Sequence, residues 1–292
     1  MRDHFKIEGP TCISFSGGRT SAYMLWRVLQ SNGGLPADAA VCFANTGREE
    51  EATLEFVRDC AKHWGTTIHW VEWEHGGYKE VDFATAARDG EPFEALIQQR
   101  RFLPNPVTRF CTSELKIRTM HRWLRANWQA LGWDAEDLEW NQMIGIRADE
   151  ARRVAKIRAR GHSTETTKET MLVPLADAGV TLPDVHAFWQ AQPFGLGLQT
   201  NAAGRTTAGN CDLCFLKPAA QVASLIHEKP TRGVWWAKME KYAEDNFVTR
   251  NNGGSFRFRS DRPSYAAMLE NNAAQTTLFR DDEEALACFC GE

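Results

Sequence analysis

No apolar run long enough to form a membrane helix occurs in the 292 residues, which excludes a helical membrane span. The first ten residues are charged and lack the apolar core of a secretory signal, so the chain is expected to be cytoplasmic. A basic excess is missing too. The chain has 34 Lys and Arg against 38 Asp and Glu, a formal net charge of −4, so there is no bulk field for nucleic acid and only a local patch is left open. No internal repeat or low-complexity segment is present, which removes solenoids and arrays. The glycine-rich turn near the N-terminus is not followed by Gly-Lys-Ser/Thr, so it is not a Walker A loop, and it does not fit the dinucleotide fingerprint. The histidines are scattered without metal-ligand spacing and read as structural.

What is present is a globular composition, 43% hydrophobic and 25% charged, enough for one large domain or one domain with an appendage. The eleven tryptophans read as packing residues. Thr11 to Phe15 is a β-branched and aromatic run that ends in Ser16-Gly17-Gly18, and a helical pattern follows from Thr20. Ala39 to Ala44 reads as a second buried strand, with a helix from about Glu49 to Trp64 and a third strand over Thr66 to Trp73. Strands alternating with helices predict parallel βαβ units. The stretch from His75 to Pro106 reads as a lid or insertion with a helix near Pro92 to Arg101. Helix is predicted over Ser113 to Leu131, and strands over Gln142 to Ile146 and Met171 to Leu175. Beyond Leu175 the pattern turns to loops and helical pieces. The expected division is therefore an α/β core over residues 1–176 and a cysteine-bearing, mostly helical and loop region over 177–292.

The sharpest local feature is Ser16-Gly17-Gly18-Arg19-Thr20-Ser21 between a strand and a helix. Glycines let backbone amides approach an anion, and a helix N-terminus adds unpaired amides and a favourable dipole. Ser16, Thr20 and Ser21 would add hydroxyl donors, and Arg19 either adds charge or points to solvent. The alternative is an ordinary strand–helix turn.

This segment resembles the PP-loop, Ser-Gly-Gly-x-Asp-Ser, with Thr20 where the pattern has Asp. Further resemblances follow in order. Phe43-Ala44-Asn45-Thr46-Gly47 is similar to the second-strand end, where Asp-Thr-Gly is common. Arg109 to Lys116 and Gly145 to Arg153 are similar to two segments of the ATP sulfurylase small subunit. Met171 to Leu175 with Asp184-Val185 matches a Pro-Leu strand and the start of the next helix. Together they cover roughly residues 8 to 220. On these motifs the chain resembles the adenine nucleotide alpha hydrolase superfamily and its phosphoadenosine phosphosulfate reductase family. The resemblance implies a doubly wound, mostly parallel sheet, with ATP and Mg²⁺ held at its carboxyl edge by Ser16 to Ser21, Asn45, Gly47 and Arg152. Lys116 and Arg147 would stabilise charge. Glu49, Glu50 and Glu51 could bind Mg²⁺, and the helix-capping role is favoured.

Eight cysteines occur: Cys12, Cys42, Cys60, Cys111, Cys211, Cys214, Cys288 and Cys290. Without a secretory signal they read as thiols, metal ligands or redox groups. Cys12, Cys42 and Cys60 fall in predicted core elements and read as buried fillers. Cys211-Asp212-Leu213-Cys214 is a CxxC pair, which cannot close a tetrahedral site alone, and Cys111 is the candidate third ligand. The chain also resembles reductases and phosphorothioation ATPases that join this loop to a cysteine-bound cluster. That resemblance implies a 4Fe-4S cluster on Cys111, Cys211, Cys214 and Cys288, with Cys290 as a sulfur-carrying nucleophile; zinc is the alternative metal. Phe256-Arg257-Phe258-Arg259 with Arg262 interleaves rings and cations, as a nucleic-acid clamp or a partner contact would.

The function expected is cleavage of ATP at its α-phosphate to adenylate an acceptor for sulfur transfer. Two alternatives stand beside it: an adenylyl- or phosphoadenylyl-sulfate reductase releasing sulfite, and a nucleotide- or nucleic-acid-binding module without turnover. The partners expected are an adenine nucleotide and an unidentified sulfur donor and acceptor, with nucleic acid a candidate acceptor. No membrane partner is expected, and homo-oligomerisation stays open.

Overall fold

A computed structural model describes residues 2–133, 139–201, 204–209, 211–247 and 256–272. The chain begins with β1 (Thr11–Ser14), α1 (Arg19–Asn32), β2 (Ala39–Asn45), α2 (Glu51–Trp64), β3 (His69–Glu74) and β4 (Gly77–Val81). It continues through α3 (Glu91–Arg100), a short α4 (Phe110–Thr112), a π-helical turn (Ser113–Arg118) and α5 (Thr119–Asn127). Then come β5 (Trp140–Ile144), α6 (Ala151–Arg160), β6 (Glu169–Leu172), α7 (Pro174–Asp177) and α8 (Leu182–Gln190). Among the described residues, the last helices are α9 (Ala219–Glu228), α10 (Thr231–Asn246) and α11 (Tyr265–Asn272).

The six strands form one sheet in the order β4-β3-β2-β1-β5-β6. All neighbours pair in parallel except β3 and β4, which form an antiparallel hairpin. The protein is thus a doubly wound α/β fold with one antiparallel edge strand. Every residue of β2 is buried, as expected for a strand covered on both faces. On one face Ile13, Val41, Phe43 and Met143 meet α1, α2 and α8. On the other, Cys12, Cys42, Val71 and Trp140 meet Met120, Trp123 and Leu124 of α5. Each such large apolar side chain contributes about 1.5–3 kcal/mol when fully buried. Cys12, Cys42 and Cys60 are free and buried, and burial pushes the Cys42 and Cys60 thiols well up, as suits inert core residues.

The hairpin strand β4 lies inside the stretch read as a lid or insertion. Its exposed Lys79 and Glu80 blunt the sheet edge, which is why no apolar signal marked it. The predicted helix from Ser113 is interrupted by a π turn. There the Thr119 hydroxyl donates to the Glu114 carbonyl at 2.8 Å, satisfying an acceptor that regular helix geometry would use differently. Packing does not break at residue 176: α8 lies on α1, and a second apolar core joins α9, α10 and α11 to Phe93, Leu96, Phe110 and Leu115.

Candidate functional site

The chain winds from β1 through β2 to β3, then returns to place β5 on the other side of β1. The strand order therefore reverses between β1 and β5, and the crevice beyond their carboxyl ends is where open α/β sheets bind ligands. Ser16-Gly17-Gly18 and Gly145-Ile146-Arg147 both lie there.

Gly17 has φ +77°, and a Cβ on it would lie 2.6 Å from Thr53 Cγ2, so both backbone and space demand glycine. Gly18 then caps α1 in extended conformation without a side-chain capping bond, which leaves the first amides of a 14-residue helix directed outward. The loop hydroxyls are turned inward. Ser21 Oγ accepts from the Ser16 amide at 3.1 Å, donates to the Gly18 carbonyl at 3.0 Å and lies 2.9 Å from Ser16 Oγ. Thr20 is buried, and its Oγ1 accepts from Arg147 Nη1 at 3.0 Å. These side chains shape the cradle, while its backbone is what faces outward.

Arg147, only 6% exposed, is held from the other side by Asp149 Oδ1 at 3.0 Å. Its own amide donates to Glu150 Oε1 at 3.1 Å. The close approach is set by Gly145, where a Cβ would lie 2.9 Å from Ser21 Cα. Arg19 reaches the Leu198 carbonyl at 3.5 Å, and desolvation lowers its pKa. Arg19, Thr20, Arg147, Val185, His186 and Arg205 border a narrow cleft beside this helix start, an arrangement suited to anionic groups. A roomier hollow at the opposite end of α1, beside Trp26, Gly33 and Trp64, lacks such cations and lies away from the strand ends. Arg152 is exposed on α6, and its neighbour Arg153 pairs with Glu150.

The carboxyl end of β2 forms the adjacent wall. Asn45 is fully buried, donating to Glu72 Oε1 at 2.6 Å and to the Ala87 carbonyl at 2.9 Å, and accepting from the Gly47 amide at 3.2 Å. Glu49 accepts from the Thr46 amide and hydroxyl at 2.9 Å. Glu50 occupies the N-cap position of α2 without a side-chain capping bond and pairs with Arg232 at 2.8 Å, and Glu51 pairs with Arg88 at 2.7 Å. All three acids thus have partners within the protein, two of them at the helix start.

Onto this same turn the CxxC segment docks. Glu49 bridges to Cys211, the Asp212 amide donates to the Arg48 carbonyl at 2.8 Å, and Thr46 Oγ1 lies 3.5 Å from Cys211 Sγ. Asp212 is the staple: it accepts from Arg48 Nη2 at 2.7 Å, Trp236 Nε1 at 3.0 Å and the Leu213 amide at 2.7 Å. Phe258 and Arg262, read as part of an aromatic and basic clamp, are buried instead. Arg262 holds the Lys217 carbonyl at 3.0 Å, and Tyr265 the Leu213 carbonyl at 2.7 Å.

Cys111, Cys211 and Cys214 are half-buried and border one apolar cluster. Soft thiols at the edge of an apolar cluster suit zinc or an iron–sulfur cluster in chemistry. Among the described residues, however, no three His, Cys, Asp or Glu side chains converge on a common metal position. Cys288 and Cys290 lie outside the described residues. Lys116 stands in the π turn, which packs over β2 and β3. Asp212, Thr53 and Trp236 were not singled out from sequence. Asp212 carried a signal in hindsight, as the polar residue enclosed by the CxxC.

The site and sheet define a doubly wound α/β protein whose first helix starts, without a side-chain cap, at its strand-order reversal. No family model matches the chain. Over 223 residues it is 27% identical to an uncharacterized nin region protein of Escherichia phage lambda, a stretch covering 72% of this chain and 67% of that protein. Over 243 residues it is 24% identical to an uncharacterized protein of Methanocaldococcus jannaschii, covering 82% of this chain and 43% of that protein, so the match spans less than half of the archaeal relative. Among solved structures, a phosphoadenylyl-sulfate reductase from Candida auris in a phosphate complex overlaps 66% of this chain and 80% of its own, with a TM-score of 0.40 and 14% identity. Among the described residues no helix is long and apolar enough to cross a membrane.

Proposed function

We propose that this chain is an ATP-using enzyme of the PP-loop type that cleaves between the α- and β-phosphates to adenylate an acceptor. The observation that carries the reading is the uncapped start of α1 at the β1/β5 reversal, with Arg147 bound to Thr20 at 3.0 Å. Outward amides at a helix start hold the β- and γ-phosphates of ATP, with Mg²⁺ countering their charge. An acceptor nucleophile attacks the α-phosphorus, the bond to the bridging oxygen of the β-phosphate breaks, and pyrophosphate leaves on the amides that already hold it. Arg147 fixes the cradle through Thr20 and, with Lys116, supplies positive charge near the leaving group. Cys111, Cys211 and Cys214 would hold a metal centre together with a ligand from the C-terminal segment, Cys288 in this reading. Such a centre supplies sulfur or electron chemistry when bound, and no step here is routed through it. Cys290 is the candidate sulfur carrier.

The test is pyrophosphate release from ATP and Mg²⁺ in the presence of nucleophilic acceptors, together with equilibrium nucleotide binding. Binding of ATP that is lost in Gly17→Ala, with pyrophosphate as product, is the expected result. Failure to bind any adenine nucleotide would remove the reading. Sulfite release from a phosphosulfate nucleotide without ATP cleavage would replace it with the reductase alternative.

A further inference from the structure

The hollow at the far end of α1 is separate from the candidate site, and its walls have a chemistry of their own. It lies between the last turns of α1 and α2, at the amino edge of the sheet, with a volume of about 380 Å³. That falls in the range of ligand pockets, roughly 300–1,000 Å³. Two indoles line it. Trp26 and Trp64 are half-buried, and each is braced by other rings. Trp26 meets Phe188 at 4.7 Å and Tyr23 at 6.0 Å between ring centroids, and Trp64 meets Phe194 at 5.9 Å and Trp189 at 6.1 Å. His63, also on the wall, stacks on Phe194 at 4.2 Å with the ring planes 3° apart. Rings held in this way lose little freedom when a ligand arrives.

The helix ends add acceptors, because the last four carbonyls of a helix have no intrahelical partner. In α1 the Leu29 carbonyl accepts from the Gly33 and Gly34 amides, and the Ser31 carbonyl accepts from Lys6 Nζ at 3.4 Å. Those of Gln30 and Asn32 have no partner among the described residues. In α2 the Ala61 carbonyl accepts from the Gly65 and Thr66 amides, which leaves the carbonyls of the next three residues at the helix end. A Cβ on Gly33 or Gly34 would meet nothing within 4 Å, so the space beside the end of α1 is open. Helix α1 has no basic residue in its last turn to offset the negative end of its dipole. No lysine or arginine lines the hollow; Lys62, in the last turn of α2, is exposed outside it.

We propose that this hollow takes the side chain of an arginine presented by a polypeptide partner. Aromatic walls attract a cation, and a guanidinium stacks on indole while its N–H groups donate to carbonyls. A quaternary ammonium has no donor for those carbonyls. A free amino acid would bring a carboxylate to two negative helix ends, so an arginine within a chain fits and a free one does not. The inference is independent of the ATP reading. The hollow lies at the edge of the sheet opposite the candidate site, and binding is measured without nucleotide.

The experiment is ¹⁹F NMR of the full chain labelled with 5-fluorotryptophan, at pH 8. Among the eleven tryptophans, the signals of Trp26 and Trp64 are assigned with Trp26→Phe and Trp64→Phe. N-acetyl-arginine amide should shift these two signals with a Kd of about 1–10 mM, as a few contacts to one flexible side chain allow. The citrulline amide has the same shape without the charge and should bind about tenfold more weakly. N-acetyl-arginine with its free carboxylate should bind about threefold more weakly. Gln30 is exposed on the wall, so changing it leaves the core packing intact. Gln30→Lys should weaken binding about fivefold and Gln30→Glu strengthen it about twofold, while Gln99→Lys on α3 leaves it unchanged. No shift of either signal at about 20 mM would overturn the proposal. Equal binding of the citrulline amide, tighter binding of the free acid, or equal effects of Gln30→Lys and Gln99→Lys would each do the same. So would tighter binding of indole, which would make the hollow an apolar site.

Discussion

Replacing Asp212 by alanine tests how the thiol-bearing turn is fastened to the sheet. Its side chain is 7% exposed and faces Arg48, itself 11% exposed, at 2.7 Å. Truncation removes the counter-charge of a buried guanidinium, which generally destabilises by about 3–5 kcal/mol. It also leaves the Trp236 indole and the Leu213 amide without their acceptor, each bond to a charged group being worth about 1.5–3 kcal/mol alone. These terms share one carboxylate and do not add, so about 3–5 kcal/mol is the expected total. The assay is urea unfolding followed by tryptophan fluorescence.

The double-mutant cycle with Arg48→Met isolates the ion pair. With the cation gone, loss of Asp212 should cost at least 2 kcal/mol less than it does alone, because no charge is stranded. The thiols of Cys211 and Cys214 should also react faster with a maleimide in Asp212→Ala than in the parent. A destabilisation below about 1 kcal/mol, or strict additivity in the cycle, would refute the claim that this carboxylate is the staple.

Other outcomes follow from the same geometry. Gly17→Ala forces a side chain into φ +77° and within 2.6 Å of Thr53 Cγ2, so stability should fall by about 2–4 kcal/mol and ATP affinity with it; Thr53→Ala in that background should return only part of the stability, read by thermal unfolding. Glu72 has a pKa raised mainly by desolvation, so its folded pKa lies above its unfolded one, and its ionisation costs stability as pH rises through the interval between them. Glu72→Gln keeps an oxygen for Asn45 and the Ala87 amide, and should be at least as stable as the parent at pH 8, with the advantage vanishing below the ordinary carboxylate range. On anaerobic purification, serine at Cys111, Cys211 or Cys214 should abolish bound iron or zinc while Cys60→Ser leaves it intact; equal metal content in all four would remove the thiolate reading.

The βαβ order was legible because apolar runs of strand length alternate with amphipathic helices, and β2 is so uniformly apolar that its burial follows directly. The strand–glycine–helix turn could be read as a cradle, since Gly17 has no freedom to be anything else. The direction of its hydroxyls could not be read. Serine and threonine in a loop donate outward or inward with equal ease, and only the approach of β5 at Gly145 turns Thr20 toward Arg147. The β4 hairpin escaped because its polar edge residues have no alternation to detect. Phe256 to Arg262 read as a nucleic-acid clamp or a partner contact because its pattern ignores context, yet Phe258 fills the core beside Trp236 and Arg262 holds a loop carbonyl.

The turn at Thr46 to Glu49 is where the two halves of the site become one object. It ends β2, so the sheet fixes it beside the β1 loop and the start of α1. It also bonds the CxxC segment through Arg48 and Glu49, so the second apolar core fixes it beside Cys211. The sheet alone would leave the thiol segment unplaced, and the helical core alone would leave it without the strand ends to face. A turn anchored from both sides keeps Cys211 next to the strand ends without needing a metal to pull the halves together. If that is its role, loosening the turn should separate the two functions rather than abolish both. Glu49→Gln removes charge from the Thr46 clamp while Gly17 and the start of α1 stay intact. Nucleotide binding by isothermal calorimetry should therefore persist within about threefold, while maleimide protection of Cys211 falls. Loss of nucleotide binding with unchanged thiol protection would show that the turn serves the cradle and not the junction.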